Sequence, residues 1–120
     1  MYNQNVGRFG EKLARDYLTK HGYSVIGANV KTSYKEIDIV ALKDNILVFI
    51  EVKTRTSEKF GRAEESIFEN KTSNLKKAIG IYLQNNKKTV KYADLRLDLI
   101  AIEIDKSKRL AKIKHYKDIA

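Results

Sequence analysis

Apolar positions along the chain change period several times, and each change marks an element. Val6, Phe9, Leu13, Tyr17 and Leu18 recur at helical spacing ahead of His21-Gly22. Residues three and four apart share a helix face and glycine ends a helix, so this pattern predicts a first helix over roughly residues 5–21. A β-like stretch, Tyr23 to Val30, follows. Two β-branched runs come next, Glu36-Ile37-Asp38-Ile39-Val40-Ala41-Leu42 and Ile46-Leu47-Val48-Phe49-Ile50-Glu51-Val52-Lys53, with Lys43-Asp44-Asn45 between them. Asp and Asn tolerate the positive φ of a tight turn, so the two runs read as a β-hairpin. Leu75, Ala78, Ile79, Tyr82 and Leu83 restore the spacing of one helix face and predict a second helix over about residues 69–85. Leu95 to Ile102 reads as a further strand, and Leu110 to Tyr116 as a last strand at the sheet edge. The order α-β-β-β-α-β, closed by that terminal strand, predicts an α/β or α+β domain with a mixed sheet.

The hairpin also predicts how its charges align. With Asp44 and Asn45 in the turn, Lys43 faces Ile46, and outward from there Asp38 faces Glu51 and Glu36 faces Lys53. Side chains alternate along a strand, so these four charges share one face, while Ile37, Ile39, Ala41, Val48, Ile50 and Val52 make the other face apolar. Nearer the turn the charged face becomes apolar too, with Val40 opposite Phe49 and Leu42 opposite Leu47. The acids thus stand at one end of an otherwise buried sheet. Like charges across strands destabilise by up to about 1 kcal/mol before desolvation, so something should compensate them. One reading is a divalent cation, Mg²⁺ or Mn²⁺, held by the carboxylates, with Lys53 orienting a water or stabilising charge on a phosphate. The other is a plain ladder of ion pairs in which Lys53 neutralises Glu51 or Glu36.

Composition narrows the field. The 120 residues carry 24 Lys+Arg against 15 Asp+Glu, a net charge of +9, with no Cys and no Pro. No Pro/Gly/Ser linker interrupts them, so a single domain over 1–120 is expected, its core over about residues 5–104 and a basic strand or tail after it. Without Cys there is no disulfide framework, thiolate zinc site, iron–sulfur cluster or cysteine nucleophile. The longest apolar run, Ile46 to Ile50, is far short of the roughly 18 residues of a transmembrane helix, and the polar Met1-Tyr2-Asn3-Gln4-Asn5 does not read as a signal peptide. A soluble cytoplasmic protein without a membrane partner is the expectation. A pI near 9.7 suggests a polyanion partner, since a positive surface gains free energy by releasing counterions from phosphate backbones. From Asn70 to Ala93 there are six bases, Lys71, Lys76, Lys77, Lys87, Lys88 and Lys91, and no acid. Arg55, Lys59 and Arg62 follow the second hairpin strand and suit phosphate contacts. His21 and His115 stand apart from any Ser or Asp constellation and read as surface histidines, and Gly7 and Gly10 as capping or close-packing positions. No P-loop or dinucleotide fingerprint is present.

Glu36-Ile37-Asp38-Ile39-Val40 followed by Phe49-Ile50-Glu51-Val52-Lys53-Thr54-Arg55 resembles the motif region of the PD-(D/E)XK nucleases, the restriction-endonuclease-like superfamily. With Gly7-Arg8-Phe9-Gly10-Glu11, Gly61, Glu65, Lys71 and Arg96-Leu97-Asp98, the chain further resembles the YraN family of uncharacterised bacterial proteins, held to be endonucleases and distantly similar to archaeal Holliday-junction resolvases. The resemblance runs from Asn5 to Ile104. It implies a core of helix, three-stranded meander, helix and strand. It also implies a Mg²⁺- or Mn²⁺-dependent endonuclease acting on DNA, branched or junction DNA included, with Asp38, Glu51 and Glu11 as metal-ligating acids and Lys53 as the motif lysine. Lys71 would face phosphate, and Arg8, Arg55, Lys76 and Lys77 would hold the nucleic-acid backbone. A homodimer would suit a junction enzyme. Members of the family usually carry Gly where this chain has Lys35. The rival expectation is a nucleic-acid-binding module on the same scaffold that performs no chemistry.

Overall fold

The computed structural model describes residues 4–56 and 72–119. Its elements are α1 (Gln4–Lys20), β1 (Ser24–Val30), β2 (Ile37–Lys43), β3 (Ile46–Arg55), α2 (Thr72–Asn86), β4 (Asp94–Asp105) and β5 (Leu110–Tyr116). The five strands form one mixed sheet in the order β1-β2-β3-β4-β5. β3 and β4 run parallel, and the other neighbours are antiparallel. A parallel pair needs a long crossover, and the chain between β3 and β4 contains α2.

The hairpin takes the expected register, Lys43 with Ile46 out to Ile39 with Ile50. Its turn residues Asp44 and Asn45 have φ of 52° and 65°, the left-handed pair that matches strand twist. α1 stops where expected. Gly22, at φ 87°, donates to Thr19 O while Tyr23 N donates to Leu18 O, and the Tyr23 and Leu18 side chains pack in one cluster.

Each face of the sheet carries its own core. α1 covers Ile39, Ala41, Val48, Ile50, Ile100 and Ile102 with Ala14 and Leu18. α2 covers Val40, Leu47, Phe49 and Leu97 with Leu75, Ala78 and Tyr82, the stripe expected for that helix. Strands buried on both faces explain the unbroken run Ile46 to Ile50.

The structure corrects three expectations. Phe9 does not join the α1 stripe and is half exposed, because the helix presents Gly10, Ala14 and Leu18 to the sheet. A Cβ on Gly10 would collide with the Thr54 hydroxyl and lie 2.9 Å from Thr54 Cβ, so only glycine lets α1 approach β3 this closely. Ile37 packs with the α2-side cluster rather than beside Ile39. Glu36 lies outside β2 and is exposed, so no strand pairing sets it opposite Lys53.

Candidate functional site

The β2–β3 ladder ends one pair short of the acids. In the alternation of an antiparallel pair, Val52 would next bond to the backbone of Ile37. Instead the Val52 N–H donates to Asp38 Oδ2 at 2.8 Å, and β2 continues only against β1, where Ile37 pairs with Val30. The Asp38 side chain thus takes the place of a backbone acceptor. That departure turns Ile37 toward α2 and sets the Asp38 carboxylate in the gap beside Glu51.

Glu51 is nearly buried, and its Oε1 has no hydrogen-bond partner among the described residues. Lys35 Nζ lies 3.8 Å from that oxygen, close enough to pair in charge but beyond hydrogen bonding. An unsatisfied buried carboxylate oxygen is costly, so this one calls for a further cation or donor. Burial pushes the Asp38 carboxyl up to about 7; the Glu51 and Glu11 charges add to the shift, while the Val52 N–H and Lys35 oppose it. Glu11 therefore belongs to the same electrostatic cluster. α1 carries it there through the close contact of Gly10 with Thr54 at the end of β3.

The structure thus sets the Asp38 carboxylate within the influence of Glu51, places Glu11 in electrostatic reach of Asp38, and adds Lys35, which spacing alone does not single out. Lys53 is half-buried two residues beyond Glu51 on β3, and Arg55 ends that strand with Nη1 3.5 Å from Thr54 O. Arg8 on α1 and Lys76 and Lys77 on α2 are exposed. Lys71, with Lys59, Gly61, Arg62 and Glu65, lies outside the described residues. Among the described residues no group of three or more acidic, His or Cys side chains is gathered as a metal ligand set, and the Glu11 charge reaches Asp38 less strongly than that of Glu51. An orphaned buried oxygen beside a second desolvated carboxylate still fits a hard dication, whose oxygen ligands need include only one or two carboxylates.

A second polar cluster, not expected from the sequence, lies where β5 meets β4. His115 is not a surface residue, because its side chain is 5% exposed. β5 pairs with β4 so that His115 stands beside Ile100 and shares the inward face of Ile113. His115 Nε2 donates to Asp98 Oδ2 at 2.7 Å, and the Tyr17 hydroxyl is 3.0 Å from Nδ1. Asp98 is fully buried and also accepts from Arg96 Nε and Nη2 at 2.9 Å and from Asp118 N at 3.0 Å. Burial works against its charge, but the hydrogen bonds from His115, Arg96 and Asp118 outweigh it and hold the carboxyl below the usual range. This cluster ties α1, β4, β5 and the C-terminal residues together. Two signals pointed to it: the i, i+2 spacing of Arg96 and Asp98 on one strand face, and the alternation of Ile113 and His115 with Lys112 and Lys114.

No helix among the described residues is long and apolar enough to cross a membrane. Comparison with known proteins gives the lineage. The family described as Uncharacterised protein family UPF0102 matches residues 10–102. A UPF0102 protein of Syntrophomonas wolfei is 40% identical over 113 residues, covering 94% of this chain and 95% of the relative. One from Caldicellulosiruptor bescii is 42% identical over 115 residues, 96% of each chain, and one from Clostridium perfringens is 43% identical over 109 residues, covering 89% and 88%. These matches take in α1, the hairpin with its acids, α2 and most of β4, and the chain belongs to the family UPF0102.

Proposed function

We propose that this protein is a divalent-metal-dependent endonuclease of the PD-(D/E)XK type that hydrolyses phosphodiester bonds in DNA. The carrying observation is the buried, unpartnered Oε1 of Glu51 set against the Asp38 carboxylate at the end of the sheet. The element order, with acids on the second and third strands of a meander, supports the restriction-endonuclease-like core that the sequence resemblance implies. Asp38 and Glu51 would hold Mg²⁺ or Mn²⁺, with Glu11 beside them. When bound, such an ion supplies Lewis-acid stabilisation of the phosphate and a more acidic water.

The chain's own groups do the rest. Lys53, on the strand face of Glu51, places positive charge where the attacked phosphate gains negative charge. Water forms the new P–O bond, the bond to the departing sugar oxygen breaks, and a proton reaches that oxygen through solvent. Arg8, Arg55 and the α2 lysines hold the backbone, so binding depends strongly on salt and little on sequence. Branched or junction DNA is the favoured substrate by resemblance, a homodimer would suit it, and such a protein would work in the cytoplasm.

The alternative is a binding module without chemistry, favoured by the Lys35 ammonium that already offsets part of the acid charge. Calorimetric titration of Mg²⁺ and Mn²⁺ into wild type and Asp38→Asn, with cleavage of single-stranded, duplex and four-way-junction DNA on the same preparations, decides between them. Metal binding and cleavage that both vanish in the variant are expected. Salt-sensitive DNA binding with neither metal binding nor cleavage in wild type would sink the enzyme reading and leave the module.

A further inference from the structure

The segment joining β1 to β2 and the exposed side of α2 flank a shallow groove of about 500 Å³. It is lined by Tyr34, Lys77, Gly80, Ile81, Gln84 and Asn85. Tyr34 is held in place rather than left loose. Thr32 Oγ1 accepts from the N–H groups of Tyr34 and Lys35 at 3.1 and 3.0 Å and donates to Lys35 O at 2.6 Å, closing the backbone into a turn. The Tyr34 hydroxyl donates to Asn74 Oδ1 at 3.0 Å, and Lys77 Nζ lies 5.4 Å from the ring centroid. The ring nonetheless stays 48% exposed. The turn and these two contacts thus hold the ring in one place while leaving about half of it open to a ligand.

Gly80 sharpens the point. It sits in the interior of α2, where glycine is less favourable than alanine by about 1 kcal/mol. Neither a positive φ nor a close neighbour requires it, since a Cβ there would meet nothing within 4 Å. What glycine supplies is a flat floor next to Tyr34. The surrounding sequence from Asn70 to Ala93 carries six lysines and no acid, so an anion is drawn to this face.

An aromatic plane, a facing ammonium, two carboxamides and a side-chain-free floor match one ligand chemistry, an unpaired nucleotide. The bases of a duplex are stacked on one another and present no free face, whereas those of a single strand do. We propose that this groove binds an unpaired nucleotide of single-stranded nucleic acid, the base stacking on Tyr34, the phosphate meeting Lys77, and Gln84 and Asn85 meeting the base edge. Tyr34 is joined directly to Lys35, whose ammonium lies 3.8 Å from Glu51 Oε1, so one turn carries both the groove's aromatic and the partner of the acids. The substrate class is then DNA with an unpaired stretch, such as a flap, gap or opened junction. This deepens the proposed function by resting on its nucleic-acid half and not on its chemistry.

The test is binding in EDTA at one fixed salt concentration, with three probes: labelled oligothymidylate, an abasic oligomer of the same length and charge, and a blunt duplex. Wild type is expected to bind oligothymidylate more tightly than the abasic oligomer. Tyr34→Ala should weaken oligothymidylate binding about tenfold while leaving the abasic oligomer and the duplex unchanged. Tyr34→Phe, which loses only the Asn74 bond, should behave as wild type. Gly80→Leu should reproduce the loss by filling the groove while α2 remains folded, as circular dichroism would register. Equal affinity of wild type for the thymidylate and abasic probes, or equal losses on all three probes in Tyr34→Ala, would overturn the proposal. Because no metal is present, a selective loss in Tyr34→Ala upholds the groove even where cleavage and metal binding fail, and absent selectivity overturns the groove while leaving an Asp38-dependent cleavage untouched.

Discussion

Lys35 Nζ lies 3.8 Å from Glu51 Oε1, an ion pair across which no hydrogen bond forms. The ammonium occupies the charge-balancing role at the acids without satisfying the buried oxygen. A dication would compete with it. Lys35→Ala, measured at pH 8, is therefore expected to tighten Mn²⁺ binding by at least about fivefold, the roughly 1 kcal/mol that two unit charges some 4 Å apart exchange even at the dielectric of bulk water. Calorimetry with wild type alongside checks this. Weaker binding in the variant would mean that Lys35 helps build the site rather than screening it.

Asp38 predicts a stability gain on mutation. Its carboxyl is pushed up to about 7 in the folded protein, chiefly by burial and then by Glu51, against an ordinary value near 4 when unfolded. A raised carboxyl destabilises the fold wherever it must ionise, so the penalty is complete above pH 7, shrinks as pH falls, and is gone below about pH 4. Asp38→Asn keeps an oxygen to accept the Val52 N–H and removes the charge. In metal-free buffer it should be more stable than wild type at pH 8, by on the order of 1–3 kcal/mol, with the difference vanishing near pH 4. Denaturant melts at the two pH values test it, and a variant less stable than wild type at pH 8 would contradict it.

Much of this arrangement is legible in the sequence, for physical reasons that can be named. The hairpin register followed from Asp44-Asn45, because only a two-residue turn suits those residues, and that register set Asp38 near Glu51. The α2 stripe was legible because its core contacts are all apolar. Three features were hidden. The loss of the Ile37–Val52 pairing depends on Asp38 capturing a backbone N–H, a choice between side chain and main chain that periodicity does not record. The rotation of α1 away from Phe9 depends on the fit of Gly10 to Thr54, two positions far apart in sequence. His115 read as isolated because its partners Tyr17 and Asp98 come from other elements, joined only when β5 closes the sheet edge.

Gly10 in α1 and Gly80 in α2 predict opposite outcomes for one substitution. Gly10→Ala puts a Cβ 2.9 Å from Thr54 Cβ and Cγ2 and should cost about 1–3 kcal/mol, since α1 must lift from β3. It should also weaken Mn²⁺ binding, because Glu11 moves with the helix. Gly80→Ala meets open space within a helix and should stabilise by about 0.4–1 kcal/mol. Paired urea melts read both signs. A neutral Gly10→Ala would show that α1 does not need its close seat on β3.

Asp98 predicts the acid limb of stability. Its carboxyl is held low because the bonds from His115, Arg96 and Asp118 outweigh burial. A depressed carboxyl contributes stability above its unfolded value, near about pH 4, and the contribution is lost as pH falls through the lower folded value. Asp98 thus acts opposite to Asp38 on acidification, and below pH 4 it alone of the two still costs stability as protons bind. Asp98→Asn leaves the Arg96 guanidinium without its buried partner, a loss expected to be about 3–5 kcal/mol at pH 7. The variant should also lack the steep decline of wild type below pH 4, so the two stability curves converge there. Urea melts across pH 2.5 to 7 would show that convergence, and parallel curves would mean that the Asp98 charge is not what holds β4, β5 and α1 together.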